Sequence, residues 1–330
     1  MNLNVSVVVP VYNTKQYLQQ AFDSLLVQKE FIKEIIIVND GSTDGSGELL
    51  EKLYGKNQLI KLLHTENNGQ GYARNLGTLN STGDYIYYFD SDDIVEPNLF
   101  KKFNNALIEN PALELFCFSG QSFLDKDTSA KEIVNKSLLS DSSYKRKVNK
   151  ICKSGEVAFN LLIKNKGFFP GPPFYILKKS ILVKNKIKFN SIRYEDEEFT
   201  HKLFLYAGKT YITNEVLFKR RVRSGSTMQK SGNFSDIAGY FEIVNSLAKL
   251  KKLNFISNET KQTIEKRIIN FLKLIIQLRT IKKISLSKNQ KKTYKNFLKP
   301  YLLKYSNLKT FYYKFPFEYK IRNLKKRFFN

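Results

Sequence analysis

Three carboxylates in four positions, Asp90, Asp92 and Asp93, close an apolar and aromatic run in the stretch GDYIYYFDSDD, residues 83–93. Tyr85 to Phe89 has the β-branched and aromatic character of a buried strand. The acids then fall at its carboxyl end, where open α/β sheets receive ligands. Carboxylates this close repel one another unless a cation or hydrogen-bond donors offset them, and hard oxygen ligands suit Mg²⁺ or Mn²⁺. Asp-Ser-Asp is equally good chemistry for a solvated turn, so the stretch alone leaves both readings open. Two further clusters carry reactive charge. YEDEEF, 194–199, sets Glu195, Asp196, Glu197 and Glu198 in the first turn of a predicted helix, where the dipole favours negative charge. That placement accounts for Glu197 and Glu198 without any reaction. KRRVRSGSTM, 219–228, has the guanidinium forks, hydroxyls and backbone N–H groups that hold a diphosphate, and also the composition of a solvated turn.

These clusters have to be positioned by the elements around them. VSVVVPVYN, 5–13, predicts a buried strand stopped by Pro10, since proline removes a ladder donor. A helix follows over 14–28, with Tyr17, Leu18, Ala21, Phe22, Leu25 and Leu26 at helical spacing. Strands over 34–38 and 59–64 and helices over 44–53 and 71–79 continue the alternation into the strand at 85–89. Polar residues end every strand, so the pattern predicts a parallel, doubly wound α/β layer. Further on, the sequence predicts a helix over 97–108, a strand over 113–118, a polar surface excursion over 119–150 and a helix over 155–163. The rigid loop FFPGPPF, 168–174, suits an acceptor-binding wall or plain core packing. A helix over 194–206 and a strand over 210–218 follow, and from about residue 235 the chain is helical and basic. There Ile264, Ile268, Phe271, Leu272, Ile275 and Ile276 share one face.

Composition narrows the class. With 330 residues, 42% hydrophobic and 26% charged, the chain can bury a substantial core as one large and one small domain. It opens directly on a strand, without the charged-then-apolar layout of a signal peptide. Its longest apolar-rich run, 268–278, is broken by Asn270, Lys273 and Gln277 and is too short to span a bilayer. Cys117 and Cys152 have no framework or metal spacing, as expected in a reducing cytoplasm. The formal net charge of +25 is segregated: residues 1–100 hold 7 Lys and Arg against 13 Asp and Glu, and residues 231–330 hold 23 against 5. A polyanionic surface near the C-terminal part is implied, nucleic acid or an anionic membrane leaflet. The last twenty residues interleave aromatics with Lys and Arg, an interfacial composition. The first strand runs into Pro10-Val11-Tyr12-Asn13 without glycine, and no GxxxxGK[ST] loop exists, which argues against nicotinamide, flavin and P-loop chemistry.

Taken in order, VSVVVPVYN at 5–13, IIIVNDGSTDGS at 35–46, NNGQGYARNLG at 67–77, YFDSDD at 88–93, YEDEEF and KRRVRSGSTM resemble the motifs of the family-2 glycosyltransferases of GT-A fold over about residues 3–230. The resemblance implies a GT-A catalytic region, 1–230, with a nucleotide-sugar half, 1–100, and an acceptor half, 101–230, before a helical basic extension, 231–330. It implies that Pro10, Tyr12 and Asn13 border the base and ribose and that Asp40 accepts from a pyrimidine ring. Asn67, Gly69 and Arg74 would lie along the nucleotide and donor sugar. Asp90-Ser91-Asp92 would be the DxD motif, with Asp90 toward the ribose and Asp92 as ligand of a divalent metal, Mn²⁺ or Mg²⁺. Asp196 would be the catalytic base with Glu195 assisting, and Arg221, Arg223 and Ser226 would hold the diphosphate. The chain departs from the pattern at Phe218-Lys219-Arg220, where many relatives carry an aromatic before the late arginines, and in the 168–174 loop, which lacks tryptophan. The implied activity is inverting transfer of a hexose or N-acetylhexosamine from a UDP-sugar to a glycan or lipid-linked acceptor in bacterial surface-polysaccharide synthesis. A cytoplasmic enzyme, peripheral on the inner face of the membrane through residues 231–330 and without a nucleic-acid partner, is expected. Alternatives are a sugar-1-phosphate nucleotidyltransferase, which would want a glycine-rich loop after the first strand, and a non-enzymatic polyanion-binding protein.

Overall fold

The computed structural model describes residues 3–129, 133, 140, 143–223 and 233–328, with side chains to residue 317. Two compact units divide the chain, Met1–Ser191 with Glu195–Gln229, and Ile192–Tyr194 with Lys230–Asn330.

The first unit is built on one mixed sheet. Strand β1 (Val5–Val11) is buried at every residue, as its unbroken apolar run requires of a central parallel strand. It pairs in parallel with β2 (Glu34–Asp40) on one side and β4 (Tyr85–Tyr88) on the other, and β3 (Ile60–Thr65) adds to β2 in parallel. Helices α1 (Lys15–Leu26), α2 (Ser46–Tyr54) and α3 (Gln70–Asn80) make the crossovers. On α1 the buried residues are Tyr17, Leu18, Ala21, Phe22 and Leu25, the face given by helical spacing. Pro10 does not stop β1. Pairing with β4 has ended at Val8, while Pro10 and Val11 stay in register with Val38 and Asn39 of β2, so the proline sits where one side needs no ladder donor.

Beyond β4 come a two-residue β5 (Ile94–Val95), α4 (Leu99–Glu109), β6 (Leu115–Leu124), β7 (Lys150–Cys152), α5 (Gly155–Lys164), β8 (Tyr175–Lys178), α6 (Lys179–Lys184), α7 (Glu195–Tyr206) and β9 (Thr210–Val222). The sheet runs in the order β3-β2-β1-β4-β8-β6-β9-β5, with β7 on β9. Two expectations change here. The excursion predicted at 119–150 is narrower, because β6 continues to Leu124, and it is not all surface, since Asp125, Thr128 and Arg146 are buried. The last strand does not end at Phe218: β6 stays beside β9 as far as the pair Leu124 and Val222, and β5 pairs with Phe218 and Lys219, so Lys219 to Val222 is strand. Ladder partners on both sides override a sequence that reads as a basic turn.

The second unit holds α8 (Phe234–Leu250), α9 (Asn258–Ile281), α10 (Lys288–Lys304) and α11 (Ser306–Phe328). Asn233 and Asp236 form a capping box at the start of α8, and Ser287 with Gln290 does so for α10. The α9 face read from spacing, Ile264 to Ile276, is the buried one. Glu265 on the same helix accepts from Lys251, from Lys304 at 3.1 Å and from the Tyr305 hydroxyl at 2.6 Å. Lys251 and Tyr305 foremost among these donors hold its carboxyl down at about 2. Among the described residues no helix is long and apolar enough to cross a membrane.

Candidate active site

The carboxyl ends of β2, β1 and β4 lie side by side. From β1 the chain goes one way to β2 and β3 and reappears on the other side as β4. Such a reversal leaves a crevice between neighbouring turns, the place where open α/β sheets bind ligands.

The turns around the crevice are joined to one another. Pro10 is buried in β1, and Tyr12 stands out at 49% exposure. Asn13, with a φ of 51°, accepts from the Thr43 amide at 2.8 Å, and its own amide donates to Ser42 Oγ at 3.1 Å. Asp40 is buried and accepts with one oxygen from the Asn68 amide at 2.9 Å and with the other from the Gly69 amide at 2.8 Å. The residue that the resemblance sets against a pyrimidine ring braces the loop that leads into α3. Two glycines make this approach possible. Gly69 has a φ of 91°, and Gly41 has a φ of 69° with its missing Cβ position only 2.7 Å from the Asn67 nitrogen. Asn67 itself is exposed.

Arg74 on α3 is 2% exposed. Its Nη2 donates to Asp90 Oδ1 at 2.8 Å and its Nη1 to Glu195 Oε1 at 3.3 Å, and its guanidinium lies 5.2 Å from the centre of the Phe189 ring. Gln70 adds a bond to Asp90 at 3.0 Å. One buried cation therefore joins the acidic turn after β4 to the start of α7, which lies 121 residues beyond Arg74 in sequence.

Within the acidic turn the three carboxylates differ. Ser91 is buried and pairs with the Thr14 hydroxyl at 2.9 Å, which anchors the turn near the start of α1. Asp92 accepts from Arg223 Nε at 2.8 Å, and its carbonyl accepts from Arg221 Nε at 2.7 Å. Asp93 is buried and accepts from the Arg221 amide at 2.7 Å. Burial, and then the Asp92 and Asp90 charges, push its carboxyl well above the usual range. Arg221 is a strand residue engaged from several sides: Asp125 at 2.7 Å, Gln20 at 2.5 Å, and the rings of Tyr17 and Phe123 under 5 Å from its guanidinium carbon. Arg223 also lies over Tyr17. Ser226 falls outside the described residues.

All four acids of α7 lie in its first turn. Glu198 is buried against Asn190 and Lys202, a structural role. Asp196 is different. Burial first, and then the Glu195 and Glu197 charges, push its carboxyl up to about 7, against the opposing pull of Arg74 and a 2.9 Å bond from the Glu197 amide. A carboxylate so raised accepts a proton near neutral pH far better than an ordinary one.

Asp90, Asp92 and Asp93 supply hard oxygens on one short turn, and each has one oxygen bonded to a protein donor. Among the described residues no three His, Cys, Asp or Glu groups converge as a ready cage. The arrangement fits a cation of the Mg²⁺ or Mn²⁺ kind that takes one carboxylate and completes its shell with phosphate oxygens and water.

Sequence reasoning passed over Gln20, Gln70, Thr14 and Asp125. Asp125 is a single polar residue in weakly patterned surroundings, and Gln20 lies among the polar positions of α1, where nothing in the spacing sets it apart. Only the pairing of β6 with β9 brings Asp125 to Arg221.

The family model described as "Glycosyl transferase family 2" matches residues 6–161. The chain is 32% identical over 248 residues to Glycosyltransferase GlyG of Streptococcus pneumoniae, covering 70% of this chain and 75% of that protein. Among solved structures it is similar to S. aureus TarS 1–349 in complex with UDP-GlcNAc, with a TM-score of 0.62 and 20% identity over 84% of this chain and 81% of that one. It is also similar to the mannosyltransferase PcManGT from Pyrobaculum calidifontis in complex with GDP-Man and Mn²⁺, with a TM-score of 0.54 and 14% identity over 98% and 88%. These likenesses establish an α/β fold of the GT-A kind.

Arg221→Met removes the buried partner of Asp125 and is expected to lower unfolding stability in urea by about 3–5 kcal/mol. The double variant with Asp125→Leu should recover most of that loss. A change below about 1 kcal/mol in the single variant would mean that the pair contributes little.

Proposed function

This chain belongs to glycosyl transferase family 2 and is a glycosyltransferase, and on that footing we propose that it moves a hexose or N-acetylhexosamine from a UDP-sugar to a hydroxyl of a glycan or lipid-linked acceptor, inverting the anomeric carbon. The product would be a bacterial surface polysaccharide. One observation carries the mechanistic reading: Asp196 has a carboxyl raised to about 7, beside a Glu195 tethered through Arg74 to the acidic turn.

In this reading the nucleoside sits over Pro10, Tyr12 and Asn13, with Asp40 at the pyrimidine edge, and the diphosphate and sugar run past Asn67, Gly69 and Arg74 toward Asp92. The TarS structure with UDP-GlcNAc supports a UDP-sugar as donor. A sugar hydroxyl is a poor nucleophile, so Asp196 accepts its proton as the oxygen bonds to the anomeric carbon. Electrons of the breaking glycosidic bond pass to the nucleoside diphosphate on the opposite face, and one displacement inverts the centre. Glu195, fixed by Arg74, keeps negative charge near Asp196 and so sustains its basicity. Arg223, bonded to the Asp92 carboxylate at 2.8 Å, is the guanidinium for the departing diphosphate, while Arg221 holds the turn on which Asp92 sits. Ser226 completes the diphosphate set by resemblance. A divalent cation held by Asp92, Mn²⁺ as in the PcManGT complex or Mg²⁺, would supply charge that stabilises the leaving group.

The second unit is the proposed membrane partner. Residues 266–317 contain 14 Lys and Arg and no acid. Leu303, Tyr313 and Phe317 are exposed, and so are Lys291, Lys292, Lys295 and Lys299 on α10. Basic residues with exposed aromatics suit the anionic inner leaflet.

Asp196→Asn is expected to lower turnover about 10²- to 10⁴-fold with UDP affinity nearly unchanged. For the unaltered protein, kcat should rise with pH through a midpoint near 7, because the base works only once its proton is lost. Wild-type turnover in the Asn variant would remove Asp196 from the mechanism. Asp92→Ala should abolish the difference in UDP affinity measured with Mg²⁺ and with chelator; a difference that persists assigns the cation elsewhere. Changing Lys291, Lys292, Lys295 and Lys299 together to Gln should weaken co-sedimentation with phosphatidylserine vesicles by about 1 kcal/mol per lysine. Full-length protein that ignores such vesicles at low salt would end the membrane proposal.

A further inference from the structure

The turn after β2 is held by a chain of side chains that ends at a histidine. Asn39, at the carboxyl end of β2, is 6% exposed, and its Oδ1 accepts from the Ser42 amide at 3.2 Å. A backbone amide can only donate, so that bond fixes the carboxamide, and its Nδ2 meets His64 Nδ1 at 3.0 Å. His64 is the direct partner of Asn39 in the ladder of β2 and β3, and its Nε2 lies 3.0 Å from Glu51 Oε1 on α2. Gly47 on the same helix leaves room for this meeting, because a Cβ there would stand 2.8 Å from Asn39 Nδ2 and 3.8 Å from His64 Nδ1.

These partners admit one state of the imidazole. Asn39 Nδ2 brings hydrogens, so Nδ1 must accept; a carboxylate only accepts, so Nε2 must carry the proton. A doubly protonated ring would set N–H against N–H. The carboxamide could then meet the ring only by turning over, which would aim its Nδ2 at the Ser42 amide. Burial keeps water from replacing the lost bond, and an unsatisfied buried donor is costly. The imidazole itself is 45% exposed, so it exchanges protons with solvent. Among the described residues Glu51 is the charged group in contact with it, while β2 presents the neutral Asn39 and β3 flanks it with Leu63 and Thr65.

What Asn39 holds reaches the candidate site. Ser42 Oγ accepts from the Asn13 amide at 3.1 Å, and Asn13 Oδ1 accepts from the Thr43 amide at 2.8 Å. Two further bonds clamp the same turns, from the Thr14 amide to Ser46 Oγ at 3.3 Å and from the Lys15 amide to Asp44 Oδ2 at 3.0 Å. Asn13 is thereby kept at a φ of 51°, a left-handed conformation uncommon outside glycine. We propose that His64, as the Nε2–H tautomer, is a positioning residue for the nucleoside diphosphate: it orients the Asn39 carboxamide, which fixes the Ser42 turn and with it Asn13. Charging the ring and binding the nucleotide then oppose each other. The identity of the ligand rests on the donor reading, but the link from His64 to the Ser42 turn does not.

The test uses the full chain with Mg²⁺ and UDP. By calorimetry at about pH 8, where an ordinary histidine is neutral, His64→Ala should bind UDP about three- to tenfold more weakly than wild type, the worth of one hydrogen bond. His64→Gln, whose carboxamide oxygen can replace Nδ1 as acceptor, should recover the affinity. Donor KM should rise in His64→Ala with kcat at saturating donor held, because the proposed base is on α7. Gly47→Ala should weaken UDP binding too, although alanine favours a helix. The chain has two histidines, so the His64 ring can be followed by NMR with buried His201 as reference, and saturating UDP should lower its pH midpoint. A phosphate ester loses its second proton at about pH 6, so the pH profile of UDP affinity in His64→Gln is the baseline below which wild type should fall as pH drops. Equal UDP affinity in wild type and His64→Ala overturns the proposal, and so does a His64 midpoint that UDP leaves unmoved. Failure of UDP to bind wild type would count against the donor reading instead. Amide exchange at Ser42 and Thr43 then decides, faster in His64→Ala if the ring holds the turn and equal if it does not.

Discussion

A guanidinium buried at Arg74 cannot remain there without anions, and the two beside it, Asp90 and Glu195, come from distant parts of the first unit's sequence. Removing a charge from water is costly, and the cost is offset only by close, well-directed partners. Asp90 and Glu195 must therefore be brought together for α3 to bury this residue. Their meeting fixes the acidic turn after β4 and the amino end of α7 in one place. Asp196 gains its raised carboxyl from the same packing, since burial at that point and the Glu195 charge beside it are the leading causes. Arg74 pulls the other way, so the basicity of Asp196 is a balance between a cation that assembles the site and anions that crowd it.

The second fixed point is Arg221, on the far side of the acidic turn. It is held by Asp125, Gln20 and the Asp92 carbonyl, and its own amide bonds Asp93. Asp90 is thus gripped from α3 and the Asp92-Asp93 end from β9. Between two buried arginines the turn keeps three carboxylates in a conformation that their mutual repulsion would otherwise open. Asp93, the deepest of them, remains there with its acidity much reduced.

Much of this was legible in the sequence. The unbroken apolar runs and the period-3.6 runs of residues 5–109 locate four parallel strands and their helices, because a strand buried on both faces is apolar throughout and its turns must be polar. The candidate site was visible as residue types at strand ends, Asp40 and Asp90 to Asp93 above all. What sequence could not supply was the partner of each group. Arg221 reads as part of a basic turn because its neighbours are Lys219, Arg220 and Arg223; only its pairing with Phe123 of β6, past the short β5 ladder at Phe218 and Lys219, makes it a buried strand residue. Pro10 reads as a stop because the one-sided end of the β4 ladder is a tertiary fact. Arg146 gives no signal in sequence, since nothing in its neighbours distinguishes a buried arginine from the exposed lysines around it.

Asp40 braces the Asn68 and Gly69 amides from within the fold. Fixing the backbone of one residue costs roughly 1–2 kcal/mol of conformational entropy. A loop already fixed in this way is preorganised, so that ordering term is met during folding and is not subtracted from the binding energy of the nucleotide proposed to lie there. Affinity on this side of the crevice is then set by contacts alone. Entropic cost on binding falls to groups without such a brace, of which exposed Tyr12 and Asn67 are the nearest examples.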